Sequence, residues 1–218
     1  MPVGKGIERK TVNRKVSAII TYFLWLQGLG AITRDPTLSL SNARIQSPLP
    51  DYLYENEIEI LTREASEDPR TYLLVLLFLD TGIKSNELFL ITKAHVDTSD
   101  LYNPELWIKH TGKQSKKDRK VALPARFSAV YTQYLEKYQI EDKLFPFTAR
   151  FMQMIFAELK QKTGIDKELT AKTLRHTHVV RAYKRGEGFE MVFDRIGLAP
   201  DSRPEAEEMY LRLAARGI

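Results

Sequence analysis

The chain has 218 residues, 43% of them hydrophobic and 28% charged, with no cysteine and a formal net charge of +5. This composition excludes wholesale disorder, a disulfide scaffold, a thiolate metal site and a cysteine nucleophile, and it suits an intracellular protein. The length suits one domain of ordinary size, or one domain carrying a fragment of another.

Along the chain, residues 11–28 read first as a helix. Val12, Val16, Ile19, Ile20, Phe23 and Leu24 recur at three- and four-residue steps on one face, with Arg14 and Lys15 off it. Gly28 and Gly30 end it. Residues 1–48 hold Lys5, Arg9, Lys10, Arg14, Lys15, Arg34 and Arg44 against Glu8 and Asp35, so this segment alone carries the whole surplus of five charges. The 36–51 stretch, with Pro36, Pro48 and Pro50, reads as a linker. Helices are predicted at 55–66 and 70–80, with Pro69 suited to a helix start. The second contains the longest apolar run, Leu73 to Leu79, which reads as buried. It falls far short of the ~20 residues a membrane span needs. The amphipathic stretch after the basic N-terminus lacks a cleavage-type ending, so no signal peptide is read.

After a turn at 80–82, a further helix is predicted over 85–91. The texture then changes. Residues 94–97, 106–110 and 120–123 read as short strands, with a basic turn between the last two and Pro124 ending the sheet. Helices resume at 126–138, 148–162, 170–184, 188–196 and 203–214. The expected fold is mainly α with a small three-stranded antiparallel β-sheet.

Three polar clusters carry the candidate chemistry. In Thr81-Gly82-Ile83-Lys84-Ser85-Asn86-Glu87-Leu88, Lys84 and Glu87 share a helix face near its N-terminus, as either an exposed ion pair or part of an anion site. Lys109 to Lys120 holds six basic residues against Asp118 alone, as either a solvated hairpin tip or a loop that meets phosphates. In Lys172-Thr173-Leu174-Arg175-His176-Thr177-His178, Lys172 and Arg175 share a face, and an arginine held on a helix suits two oxygens of one phosphate. His176 and His178 are two apart and do not face each other, so no zinc pair is expected, and His176 reads as a packed core histidine.

Taken in order, these clusters resemble the tyrosine recombinase (phage integrase) family. The first is similar to that family's T-G-x-R-x-x-E-L box. Gly112-Lys113, followed by Lys117-Asp118-Arg119 and Val121-Ala122-Leu123-Pro124, is similar to its β-hairpin. Lys172 to Thr177 is similar to its H-x-L-R-H-T box. Ile196-Gly197 falls where the family has L-G of L-G-H, and Tyr210 stands near the place of the nucleophile. Residues 11–26 resemble the last part of the family's helical core-binding domain. The departures are Lys84 for arginine, Lys172 for the opening histidine and Leu198 for the histidine of L-G-H. Tyr210 also follows Leu198 at the longer spacing of 12 residues.

The resemblance implies a partial core-binding segment over 1–35, a linker over 36–51 and an integrase-like catalytic domain over 52–218. It implies cleavage of a DNA phosphodiester by Tyr210, with Arg175, Lys172 and Lys84 on the phosphate, Lys113 as general acid and Glu87 orienting its neighbours. Arg14, Lys15, Lys116, Lys117, Arg119 and Lys120 are the expected DNA-binding residues. Neither metal nor cofactor is expected. The expected partner is duplex DNA, with a tetramer on DNA and a monomer or weak dimer when free. The expected location is the cytoplasm, with the nucleoid. Lysine is a point charge without arginine's two-pronged planar grip. A member that binds DNA without cutting it therefore stays open as the alternative. On the helix over 203–214, Ser202 is expected to cap, Leu211 and Leu213 to point partly inward, and Tyr210 to sit exposed.

Overall fold

The computed structural model describes residues 7–43, 48–110, 112 and 117–217. The chain forms two units, Met1–Pro48 and Leu49–Ile218.

In the first unit, helix α1 spans Arg9–Gly28 and buries none of its residues. Val12, Ile19 and Leu24, grouped on one face by their spacing, remain 42%, 45% and 53% exposed. Gly30 takes a left-handed conformation (φ +71°). This lets Gly30 N–H reach Gln27 O and Ala31 N–H reach Leu26 O, each at 3.0 Å, and so closes the helix end. Residues 35–43 turn back along α1. Buried Asp35 accepts the Thr37 amide and hydroxyl at 2.7 and 2.6 Å. Further on, the Asn13 side chain exchanges two hydrogen bonds with the Ala43 backbone.

The second unit is built around helix α3 (Pro69–Thr81). Asp68 caps it by accepting the Thr71 amide, Pro69 fills its first position, and Gly82 ends it with φ +61°. Leu73 to Leu79 are all 3% exposed or less. Each such side chain contributes about 1.5–3 kcal/mol relative to exposure. Around α3 pack α2 (Glu55–Ala65), α5 (Arg126–Tyr138) and α7 (Ala171–Lys184), while α6 (Ala149–Thr163) lies on α2.

Helix α4 (Ser85–Leu88) is shorter than the expected 85–91. Residues 91–93 are drawn instead into pairing with 142–144, through Lys93 N–H to Asp142 O and Leu144 N–H to Ile91 O, both 2.9 Å. Strands β1 (Val96–Asp97), β2 (Glu105–Ile108) and β3 (Arg119–Ala122) form an antiparallel sheet in sequence order. Val96 pairs with Leu106, Leu106 with Val121 and Ile108 with Arg119. Leu106, Ile108 and Val121 face the core, whereas Trp107 and Lys120 face out.

A second hydrophobic cluster joins Tyr52 and the later half of α7 to α8 (Phe189–Arg195) and α9 (Arg203–Ala214). Ser202 lies in a 3-10 turn and makes no side-chain cap to α9, in contrast to the expectation. Among the described residues, no helix is long and apolar enough to cross a membrane.

Candidate active site

Helix α8 has only seven residues, and among the described residues the carbonyls of its last residue, Arg195, and of Ile196 and Gly197 just beyond it have no backbone partner. Three basic side chains collect them. Arg119 Nε donates to Arg195 O at 2.7 Å, Arg175 Nη2 to Ile196 O at 2.9 Å, and Lys84 Nζ to Gly197 O at 3.0 Å. The negative end of the helix dipole thus gathers residues from β3, α7 and the start of α4 at one point. Arg175 also donates through Nη1 to Gly82 O, where α3 ends. Two glycines permit this approach. A Cβ on Gly197 (φ +63°) would lie 2.7 Å from Arg119 Nη1, and one on Gly82 would lie 2.7 Å from Ile196 Cγ2 and 2.8 Å from His178 Cδ2.

Glu87 anchors the cluster from beneath and is 2% exposed. Its carboxylate accepts two hydrogen bonds from the Arg119 guanidinium, at 3.0 and 2.8 Å, and the Lys84 amide at 2.9 Å. His110 Nε2 lies 3.1 Å from it. Burial raises the Glu87 carboxyl pKa, but the Arg119 hydrogen bonds and charge, with the Lys84 amide and charge, outweigh burial and hold it below the usual range. Burial lowers Lys84. Glu87 opposes that shift, while the charges of Arg175, Arg119 and Lys117 add to it.

Tyr210 lies on α9 and is 4% exposed. With Leu213 and Ala214 it forms the buried stripe of that helix, while Leu211 is 43% exposed. The expectation of an exposed Tyr210 is therefore corrected, as is that of an inward Leu211. Three- and four-residue spacing puts Tyr210, Leu213 and Ala214 on the face that meets Phe189 and Phe193. The phenol lies 2.8 Å from Nδ1 of His176, the residue after Arg175. Burial pushes the phenol up to about 12, opposed by the nearby charge of Arg175. His176 is pushed down to about 4 by burial and by the charges of Lys172 and Arg175.

The residues expected from the sequence therefore divide. Arg175 and Lys84 meet at the end of α8, Glu87 joins them through Arg119 and the Lys84 amide, and Tyr210 contacts His176, the residue next to Arg175. Lys172 is exposed one turn before Arg175. Arg14, Lys15, Lys117 and Lys120 are exposed, and Lys120 pairs with Glu105 across the sheet at 3.2 Å. Arg119, expected among the DNA-binding residues, is instead turned inward to the Glu87 pair. In β3 it shares the face of buried Val121, whereas Lys120 points the other way. Lys113 and Lys116 lie outside the described residues. Sequence reasoning missed His176 as the partner of Tyr210, His110 as a partner of Glu87, and the α8 carbonyls as the organising feature. The alternation in β3 was the available signal for Arg119; backbone carbonyls leave none.

The family model for the phage integrase family matches residues 51–201. A tyrosine recombinase of Pseudothermotoga lettingae is 27% identical over 193 residues, which is 86% of this chain and 66% of that protein. Tyrosine recombinase XerC of Listeria innocua is 28% identical over 214 residues, 89% of this chain and 69% of that protein. The chain thus spans about two thirds of the length of these curated relatives. Among solved structures, XerH site-specific recombinase bound to its difH substrate matches with a TM-score of 0.72 at 19% identity, covering 96% of this chain and 65% of that one. Tn1549 transposon integrase in complex with a circular intermediate DNA matches with a TM-score of 0.74 at 17% identity, covering 97% of this chain and 78% of that one.

Proposed function

The chain belongs to the phage integrase family, and from that premise we propose that it is a tyrosine recombinase that cuts and rejoins duplex DNA at specific sites. Tyr210 attacks a phosphodiester, forming a 3′-phosphotyrosyl bond and releasing a 5′-hydroxyl. This divides one displacement into two covalent steps. The phosphorus centre gains negative charge on its equatorial oxygens, and fixed cations offset it. Arg175 supplies the main such charge, pre-aimed by its two carbonyl partners. Lys84 adds a point charge, Lys172 an exposed one at the rim, and Lys113 protonates the leaving 5′-oxygen. Glu87 holds Arg119 and the Lys84 backbone in place. Arg14, Lys15, Lys116, Lys117 and Lys120 meet backbone phosphates outside the reacting centre.

The observation that carries this reading is the approach of Tyr210 to the Arg175 segment of α7, through the 2.8 Å contact with His176. Residues 1–35 serve as a partial core-binding segment, 36–51 as a linker and 52–218 as the catalytic domain. The protein acts in the cytoplasm on the nucleoid, as a monomer or weak dimer when free and a tetramer on DNA.

The test uses nicked duplexes with randomised half-sites. Incubation, denaturation and recovery of covalently bound DNA should yield adducts with the native chain and none with Tyr210→Phe. Recovery of adducts by Tyr210→Phe refutes the assignment of Tyr210, and duplex binding with no adduct from either the native chain or Lys84→Arg establishes a member that binds DNA without cutting it. Duplex binding without an adduct, restored to cleavage by Lys84→Arg, establishes instead a member disabled at its first box.

A further inference from the structure

Among the described residues of the cation cluster, none takes up the proton of the attacking phenol. At a pKa of about 12, only about one Tyr210 in 10⁵ is ionised at pH 7, so a poised base is needed. Lys172 is exposed, Lys84 is tied to Gly197, and Arg175 remains charged. Among the described residues, the phenol's one hydrogen bond is to His176 Nδ1, and His176 Nε2 is buried without a partner.

Counting unmet groups decides the tautomer. If Nδ1 carried the hydrogen, it would donate to the phenolic oxygen. Both the phenolic O–H and the Nε2 lone pair would then be buried without partners. If Nε2 carries it, Nδ1 accepts from the phenolic O–H, and only the Nε2–H is unmet. The second arrangement leaves fewer buried polar groups without a partner, and each such group opposes folding. It also points a lone pair at the proton that must leave.

We propose that His176 is the general base of DNA cleavage, accepting the Tyr210 proton on Nδ1 as the phenolic oxygen bonds to phosphorus. This rests on the recombinase reading. The O–H bond of Tyr210 breaks as Nδ1–H and O–P form. The P–O5′ bond breaks, and the leaving oxygen takes its proton from Lys113. In rejoining, each proton returns to its source. Among the described residues, the charges of Lys172 and Arg175 from α7 act on the imidazole and Tyr210 of α9 hydrogen-bonds it, while Glu87 of α4 and Arg119 of β3 act in turn on Arg175. The two nearest cations and burial keep the ring neutral at pH 7, so it is free to accept. The negative charge arriving with the phosphate offsets the imidazolium once it forms.

Two measurements test this on the full chain. In DNA-free protein labelled with ¹⁵N-histidine, NMR should show His176 with Nε2 protonated and Nδ1 as a hydrogen-bonded acceptor, and Tyr210→Phe should shift the Nδ1 signal. A protonated Nδ1 overturns the proposal, whatever the enzyme does with DNA. The second uses single-turnover cleavage of a duplex recovered from the randomised library. His176→Asn, which keeps an acceptor near Nδ1 but is not basic, should bind the duplex as tightly as the native chain. It should cleave about 10²-fold more slowly, within the range of general-base losses. Its rate should also lose the rise with pH that the native chain shows as His176 deprotonates. His176→Phe, which keeps a ring of similar size, should be at least as slow. Cleavage by His176→Asn within threefold of native, with an unchanged pH profile, overturns the base role. Absence of adducts from the native chain overturns the recombinase reading, and the NMR result then decides the tautomer alone.

Discussion

Arg119→Met separates two accounts of a basic residue in the hairpin. If Arg119 met phosphate, its loss would weaken DNA binding and leave folding alone. The geometry requires the opposite. The Arg119 side chain is 10% exposed and that of Glu87 is 2% exposed. The substitution would forfeit two hydrogen bonds to Glu87, at 3.0 and 2.8 Å, and one to Arg195 O at 2.7 Å. It would leave a buried carboxylate without its charge partner, which costs about 3–5 kcal/mol. In a domain of this size each kcal/mol lowers the melting temperature by about 2–4 °C. The expected fall is therefore about 10 °C. Glu87→Gln should cost a similar amount, since it strands the guanidinium. The double variant Arg119→Met/Glu87→Gln should be at least about 1 kcal/mol more stable than the sum of the single losses predicts, because it strands neither charge. Urea denaturation measures the stabilities, and duplex mobility shifts at several salt concentrations count the phosphate contacts. Lys117→Ala provides the contrast, with unchanged stability and a salt slope reduced by about 1. Native stability in Arg119→Met, together with that same loss of slope, would refute the inward pairing.

Two further outcomes follow from the same packing. His176 and His178 are both buried, with pKa values pushed down to about 4 from 6.5. The unfolded chain therefore binds more protons between those values, and stability rises with pH across that window. It is fully present above about pH 6.5 and falls as the pH drops toward 4. Between pH 7 and pH 5 the loss should be about 2 kcal/mol per histidine, read by urea denaturation. His178→Asn should remove about half of it, and an unchanged stability from pH 7 to 5 would contradict the burial. Gly82→Ala should destabilise by about 2–5 kcal/mol, from the left-handed backbone and from a Cβ 2.7 Å from Ile196. A melting temperature within about 2 °C of native would refute that close approach.

Much of the architecture was present in the linear pattern. The seven-residue apolar run of α3 has one outcome in water, which is burial, and Asp68-Pro69 and Gly82 mark its ends through capping and left-handed geometry. The period-2 strands between long period-3.6 segments determined the class of fold. The order of the three polar clusters pointed to Lys84, Glu87, Arg175 and Tyr210. Other features had no local determinant. Helix α4 stops at Leu88 because the next residues pair with a segment about fifty positions away. The end of α8 became the meeting point of three cations because the tertiary fold brings distant basic side chains to its unpaired carbonyls. A repeat along the chain says which residues share a face, but not what that face will meet. Arg119 and Tyr210 both turned inward for that reason: Arg119 found a buried carboxylate, and Tyr210 found an aromatic cluster and His176.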